Sequence, residues 1–399
     1  MGSEMCIRDR YDGVAPVGDT NGDGFDDVVM IDDGEDAILH FGGASGGLVA
    51  SSSWVTGHVT DVSATDLNGD GYSDLIVGKG VVGTGSVETY HGGPSGPATQ
   101  PDVTLQGLDD YYGYSVAGLT DLNSDGFGDV AIIEKAALDE NGRGELFVHY
   151  GSPAGVMTSA AWSKEIVGVI LAPRVSQVGD INGDGIRDLL LSTPGANVLL
   201  AQTPPIEALS WIPSNNPREV DVAGDVNGDG FCDLLVVSDS STFLRYQVCL
   251  YYGSADGLAE SARWEFPFPV LWSNHSSCCA GDLNGDGFDD LLVLDDQGAF
   301  LCFGSATGPV VTQITLPLVS QARAAGDVNG DGLADVVLYG GDYQARIHLG
   351  SRIGLSVSPI WSQQTGGMPS FADVNADGFT DAIIGYSCLL YTSPSPRDS

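Results

Sequence analysis

The chain is 399 residues long and carries 54 acidic against 15 basic side chains, for a formal net charge of −39. A nucleic-acid binder needs clustered Lys and Arg to meet phosphates, and attachment to anionic lipid needs the same, so both classes are excluded. With 42% hydrophobic residues and 56 glycines the chain is built to form a core with many tight turns, and its apolar runs are strand-sized, too short to cross a membrane as a helix.

The two ends stand apart. Residues 1–10, from Met1 to Arg10, and residues 388–399, from Cys388 to Ser399, both resemble in-frame translations of a sequencing adaptor. Such segments lie outside fold reasoning. One domain, residues 11–387, is therefore expected, cut from a longer protein at both ends.

From Asp19 the chain reads D-T-N-G-D-G-F-D-D. The frame D-x-N-x-D-G-x-x-D recurs from Asp66, Asp121, Asp180, Asp225, Asp282, Asp327 and Asp373, at intervals of 45 to 59 residues. After each loop comes a run such as DVVMI, DLIVG or DLLVL. Runs of this length, rich in Val, Ile and Leu, read as strands buried on both faces. A further strand follows and closes on a Gly turn, as in LHFGG (39–43), VHYGS (148–152) and LCFGS (301–305). A Trp then recurs in fixed register (Trp54, Trp162, Trp264, Trp361), which reads as packing between repeats rather than a sugar platform. Another short strand precedes each acidic loop. Four strands per repeat of about 45 residues describe the blade of a β-propeller, an all-β fold of antiparallel blades that bury each other's faces and leave short, protected edges. Eight repeat units imply eight blades, the last one stopping after its second strand, or a seven-bladed ring with a strand pair left over.

The acidic loops read as calcium sites. Hard cations take six to eight oxygen ligands, and alternate residues of a tight loop point their oxygens at one centre. Position 1 is Asp19, Asp66, Asp121, Asp180, Asp225, Asp282, Asp327 and Asp373; position 3 is Asn21, Asn68, Asn123, Asn182, Asn227, Asn284, Asn329 and Asn375. Position 5 is Asp23, Asp70, Asp125, Asp184, Asp229, Asp286, Asp331 and Asp377, followed by a Gly that permits the left-handed turn. Position 7 is Phe25, Tyr72, Phe127, Ile186, Phe231, Phe288, Leu333 and Phe379, offering a main-chain carbonyl while its side chain enters the core. Position 9 is Asp27, Asp74, Asp129, Asp188, Asp233, Asp290, Asp335 and Asp381, expected to close the site. An EF-hand is excluded, because its position 12 must be Glu and here it is apolar, from Met30 to Ile384. Zinc requires Cys or His in the loop; magnesium prefers a tighter, water-rich octahedron. The bland alternative is a set of metal-free Asp/Asn/Gly turns, which have no need of three carboxylates. Up to eight Ca2+ ions would reduce the charge of −39 to −23. Weak sites of this kind fill outside the cell, which places the protein extracellularly.

With these loops the sequence resembles the FG-GAP repeats of the integrin α-chain propeller and its bacterial relatives. The third repeat is nearest: Tyr112-Gly113-Tyr114-Ser115-Val116-Ala117, then DLNSDGFGD, then GRGELFVHYGS. The resemblance implies calcium loops on the face opposite a ligand-binding surface, an extracellular or cell-surface setting, and adhesion or binding of a protein or glycan.

Few other residues suggest chemistry. His40, His149 and His348 occupy equivalent places in separate repeats and read as strand-end residues. Lys79, Lys135 and Lys164 form no aligned cluster. Of the insert's five cysteines, Cys232 and Cys249 flank a hairpin and are open to pairing, though core filling suits most. Arg143-Gly144-Glu145 reads as a turn. The segment Phe266–Ser277, with Trp272, and the Tyr111-Tyr112 region are the first places to seek ligand contacts. A non-catalytic, calcium-stabilised binding propeller is expected; a calcium-dependent polysaccharide lyase and a structural spacer are its rivals.

Overall fold

The computed structural model describes residues 11–32, 36–44, 48–50, 55–81, 83, 85–107, 111–135, 143–167, 174–192, 197–199, 210–211, 217–239, 245–259, 261–267, 270–271, 276–295, 298–316, 319–365, 368–386 and 389–393. Trp54, Trp272, Cys6 and Cys388 lie outside them. Every regular element among the described residues is a β-strand, and the strands form eight antiparallel sheets. The fold class is that of a β-propeller.

Two compact units divide the chain. One takes residues 1–177, 369–394 and 398–399; the other takes 178–368 and 395–397. The first holds the acidic loops of repeats one, two, three and eight; the second holds those of repeats four to seven. The third repeat shows the common plan. Tyr112–Leu119 pairs with Asp129–Lys135, which pairs with Arg143–His149, which pairs with Trp162–Val167. The acidic loop joins the first two strands, so position 9 is also the first residue of the second strand.

Each second strand is buried on both faces because its side chains alternate between two neighbours. Leu75 and Val77 face the first repeat, packing with Val29 and Leu39, while Ile76 packs with Val116, Val130 and Ile132 of the third repeat. In the second unit, Leu291 and Val293 meet Leu235, Val237 and Phe266, and Leu292 and Leu294 meet Val336 and Leu338. The core is therefore a series of layers between consecutive sheets. Trp264 packs on one of these layers, edge to face with Phe266 at 6.2 Å.

Backbone hydrogen bonds tie consecutive repeats at the acidic loops. The N–H of position 8 donates to the position-1 carbonyl of the preceding loop: Ser73 to Asp19 (3.0 Å), Gly128 to Asp66 (2.7 Å), Cys232 to Asp180 (2.9 Å), Asp289 to Asp225 (3.1 Å) and Ala334 to Asp282 (2.9 Å). Asp26 bonds Asp373 in the same way at 3.2 Å, so the eighth repeat adjoins the first as the first adjoins the second. The Gly that ends the third strand is squeezed into this junction. A Cβ on Gly151 would lie 2.2 Å from the Gly128 carbonyl oxygen and 2.7 Å from that of Leu67.

Three expectations need correction, and the open question of cysteine pairing is decided. Arg143, Gly144 and Glu145 are no turn; they begin the third strand of their repeat and pair with Lys135 and Glu134. Cys232 and Cys249 are unbridged, as are Cys278, Cys279 and Cys302; Cys249 fills a core layer, whereas Cys232 lies beneath Gly179 of the preceding repeat. The last repeat does not stop at its second strand: Leu389–Ser393, β-prone residues within the segment likened to an adaptor, pair with Asp381–Tyr386. Position 7 does not generally enter the core. Tyr72 lies over Gly22 of the preceding loop, Phe127 over Gly69, Phe231 over Gly183 and Phe288 over Gly228. These rings stay half-buried because the flat, side-chain-free Gly at position 4 offers a surface that the packed strand layers do not.

Gly151→Ala is expected to cost about 2–4 kcal/mol, since the contact at risk is with backbone rather than a movable side chain. Denaturant unfolding at fixed calcium measures it; an unchanged midpoint would contradict the close junction described here.

Candidate metal centres

Each acidic loop is organised first by its own backbone. In the first, Asp19 Oδ1 accepts from Gly22 N–H (2.6 Å) and Asp23 N–H (3.2 Å), and Oδ2 from Gly24 N–H (2.8 Å). Asn21 Oδ1 accepts from Asp23 N–H (2.8 Å), and Asp23 Oδ1 from Phe25 N–H (3.1 Å). The Asn21 amide donates to Asp23 Oδ2 at 2.9 Å, holding the third and fifth side chains together. The fifth loop repeats this around Asp225, Asn227 and Asp229, and the sixth around Asp282, Asn284 and Asp286. The turn needs a left-handed residue at position 4. Gly22 has φ 75°, but the third and eighth loops place Ser124 (φ 59°) and Ala376 (φ 53°) there.

Burial is graded across the loop. Position 5 is exposed in all eight copies, positions 1 and 3 are half-buried, and position 9 is buried. The position-9 carboxylates have a role the sequence did not reveal. Asp129 accepts from Leu122 N–H (2.7 Å) and Gly151 N–H (2.9 Å), Asp233 from Val226 (3.0 Å) and Gly253 (3.0 Å), and Asp290 from Leu283 (3.0 Å) and Gly304 (2.9 Å). Asp74 and Asp335 make the same two bonds, and Asp27 bonds Thr20 and Gly42. This aspartate thus clamps the loop's second residue to the Gly ending the third strand. The sequence signal was that this Gly follows the third strand in six of the eight repeats, the fourth and eighth lacking it.

Burial pushes Asp74, Asp129 and Asp335 up to about 6, and Asp233 and Asp290 up to about 7; the two backbone N–H bonds pull down against it, and the position-5 carboxylate of the same loop adds to the rise.

The fit to a cation can be judged from the donors. Among the described residues no three His, Cys, Asp or Glu side chains gather on one point, and the position-9 oxygens already face N–H groups. What each loop offers is oxygen alone: carboxylates at 1 and 5, an amide at 3 and a carbonyl at 7. A carboxylate oxygen has lone pairs beyond one N–H bond, and an oxygen-only set of this kind suits calcium. The loops fit that ion, with positions 1, 3 and 5 at the solvent edge and position 9 behind them.

Other candidates are structural. His149 is buried, with Nδ1 against the Met157 carbonyl (2.9 Å) and Nε2 against the Tyr112 hydroxyl (3.0 Å); His348 Nδ1 meets the Ser356 carbonyl at 2.7 Å. Burial lowers the pKa of both and of His40. Tyr112 is core, edge to face with Phe147 at 5.4 Å. Trp162 and Trp361 stand on fourth strands, half-buried. Lys79 and Lys135, by contrast, both end second strands and come near one turn, Tyr111–Tyr114.

Known proteins show the same repeat. A family model described as FG-GAP-like repeat matches residues 19–77 and 225–293. Integrin alpha-5 of Xenopus laevis is 32% identical over 157 residues, 35% of this chain and 15% of that protein. Integrin alpha-7 of Rattus norvegicus is 33% identical over 172 residues, 40% of this chain and again 15% of the relative. The chain thus spans a small part of these curated relatives. Among solved structures, a Bacillus licheniformis rhamnogalacturonan lyase superposes with a TM-score of 0.60 at 12% identity, over 95% of this chain and 70% of the lyase. The exotype rhamnogalacturonan lyase YesX gives 0.58 at 11%, over 96% and 70%. At such identity the likeness is one of fold. The chain carries FG-GAP-like repeats on an all-β propeller fold.

Two outcomes follow for the position-9 clamp. Asp233→Asn replaces one acceptor with a donor that faces a backbone N–H, and is expected to cost about 1–3 kcal/mol of stability, read by thermal or urea unfolding with Asp256→Asn, exposed and outside the acidic loops, as the control. A carboxyl whose folded pKa stands above its unfolded value contributes stability below about pH 4 and loses it as pH rises through about 6 to 7. Chelator-treated protein should therefore melt lower at pH 7.5 than at pH 5, and calcium should remove that slope. A melting temperature that rises over this range without metal would contradict the assignment.

Proposed function

We propose that the chain is a calcium-stabilised, non-catalytic β-propeller that works outside the cell or at its surface and binds a protein or glycan. The observation that supports it best is the place of the acidic loop. Its position-1 carbonyl receives the next repeat's N–H, its position-4 Gly receives the next repeat's ring, and its position-9 carboxylate holds its own third strand. A cation held by positions 1, 3, 5 and 7, with position 9 behind, would neutralise charge at the junction between repeats. Calcium, when bound, supplies two positive charges and a centre for six to eight oxygens. The likeness to integrin alpha chains favours an adhesion-type role, and the junction of the eighth repeat with the first favours eight blades over seven.

The non-catalytic reading is supported by His149, whose two ring nitrogens meet the Met157 carbonyl and the Tyr112 hydroxyl, and by His348, whose Nδ1 meets the Ser356 carbonyl.

Calorimetric titration of calcium into chelator-treated protein, with melting followed in parallel, tests the metal half of this reading. Uptake of several ions, approaching eight, is expected, each adding about 2.7 kcal/mol at hundredfold excess over its Kd. No uptake and an unchanged melting temperature would reduce the loops to turns.

A further inference from the structure

We infer that the turn Tyr111–Tyr114, with Lys135, is a binding site for a carboxylate-bearing sugar, a uronic acid unit of a glycan. The inference deepens the binding reading above and rests on it.

Tyr111 has φ 60°, a left-handed conformation that a bulky side chain adopts only when its surroundings impose it. The surroundings do so here. Tyr111 N–H donates to the Val81 carbonyl (3.0 Å) and Tyr114 N–H to the Tyr111 carbonyl (3.1 Å). The turn is seated against two glycines of the second repeat. A Cβ on Gly80 would lie 2.5 Å from Tyr114 Cα, and one on Gly85 would lie 2.3 Å from Tyr112 N. While Tyr112 is buried in the core, Tyr111 and Tyr114 remain half-buried, their rings edge to face at 6.2 Å. Strained backbone in a rigid notch has fixed two partly exposed rings in one orientation.

Lys135 supplies the charge. It is the last residue of its strand, and its ammonium lies 5.1 Å from the centroid of the Tyr114 ring. Lys79, close by, is bridged to Glu88 at 2.7 Å, and Glu88 also accepts from the Tyr90 hydroxyl at 2.7 Å. Lys135 has no carboxylate partner among the described residues. The neighbouring acid, Glu134, is buried and directed toward Gly107 on the other side of the sheet. In a chain of 54 acidic residues, this ammonium sits over an aromatic face with no carboxylate among the described residues, and it can give a charge-assisted hydrogen bond to an external one.

Together these groups present two half-buried aromatic rings set nearly at right angles and one positive charge over the Tyr114 face. A sugar stacks its apolar C–H face on a tyrosine, and the ammonium gives a carboxylate a charge-assisted hydrogen bond. A neutral sugar would leave Lys135 unused.

The test uses the full chain at fixed, saturating calcium. A uronic-acid trisaccharide and its carboxyl-reduced neutral counterpart are titrated into wild type, Lys135→Gln, Lys135→Arg and Tyr111→Gly, with melting temperatures checking that each variant folds. Wild type should bind the uronide about tenfold or more tighter than the neutral sugar. Lys135→Gln should erase that difference, Lys135→Arg should keep it, and Tyr111→Gly, which relieves the backbone, should weaken both sugars about tenfold. Equal binding of the two sugars, no binding of either, or a Lys135→Gln variant that behaves as wild type would overturn the site. A protein ligand whose binding ignores Lys135→Gln would overturn it and leave the binding-module reading standing. Cleavage of the uronide to an unsaturated product would keep the site and overturn the non-catalytic reading.

Discussion

A carboxylate held by two backbone N–H groups is the interaction on which the repeat depends. Removing Asp129 or Asp233 from water is costly, and a bond from the loop's second residue and one from the Gly that ends the third strand offset that cost only in part, so both carboxyls stand above their ordinary range. Charged acceptors make the stronger hydrogen bonds, roughly 1.5–3 kcal/mol each. One side chain thereby fixes the loop, the start of the second strand and the end of the third.

The same loop couples each repeat to its neighbour. Gly128 N–H on the Asp66 carbonyl and the Phe127 ring over Gly69 join the second and third repeats, and the first and eighth meet through Asp26 and Asp373. Where an ion-binding loop is also a joint between packed layers, binding free energy and folding free energy are one quantity. Strand packing alone, Ile76 against Val116 and Ile132, supplies non-directional burial; the loops supply register.

The acidic loop and the tyrosine turn lie at opposite ends of a strand. Asp129 begins the second strand of the third repeat and Lys135 ends it, about 20 Å apart at the rise of a β-strand. Calcium in the loop would act on the tyrosine turn through the strand it anchors and not by contact. That separation lets the loops stay alike from repeat to repeat while the other strand ends differ, Lys79 bridged to Glu88 and Lys135 set over the Tyr114 ring with no carboxylate among the described residues.

Much of this was legible before any coordinates, because a repeat multiplies weak signals. The nine-residue frame and the apolar run behind it recur eight times, the Gly turn six times, and alternation within DVVMI or DLLVL is enough to place strands buried on two faces. Side-chain direction was not legible. The order of residues could not say that Asp233 turns to Val226 and Gly253, or that Tyr72 lies over Gly22, because both depend on the next strand or repeat. Nor could it say that Arg143 begins a strand, since pairing partners outweigh turn composition. Lys79 and Lys135 looked scattered because they are 56 residues apart in the chain. Only packing of the second repeat's glycines against the third repeat's turn brings their strand ends to one place. Residue type and spacing determined the fold class and the oxygen-rich composition of the loops; contacts between distant segments decided which groups are buried, which are paired and which stay partly exposed.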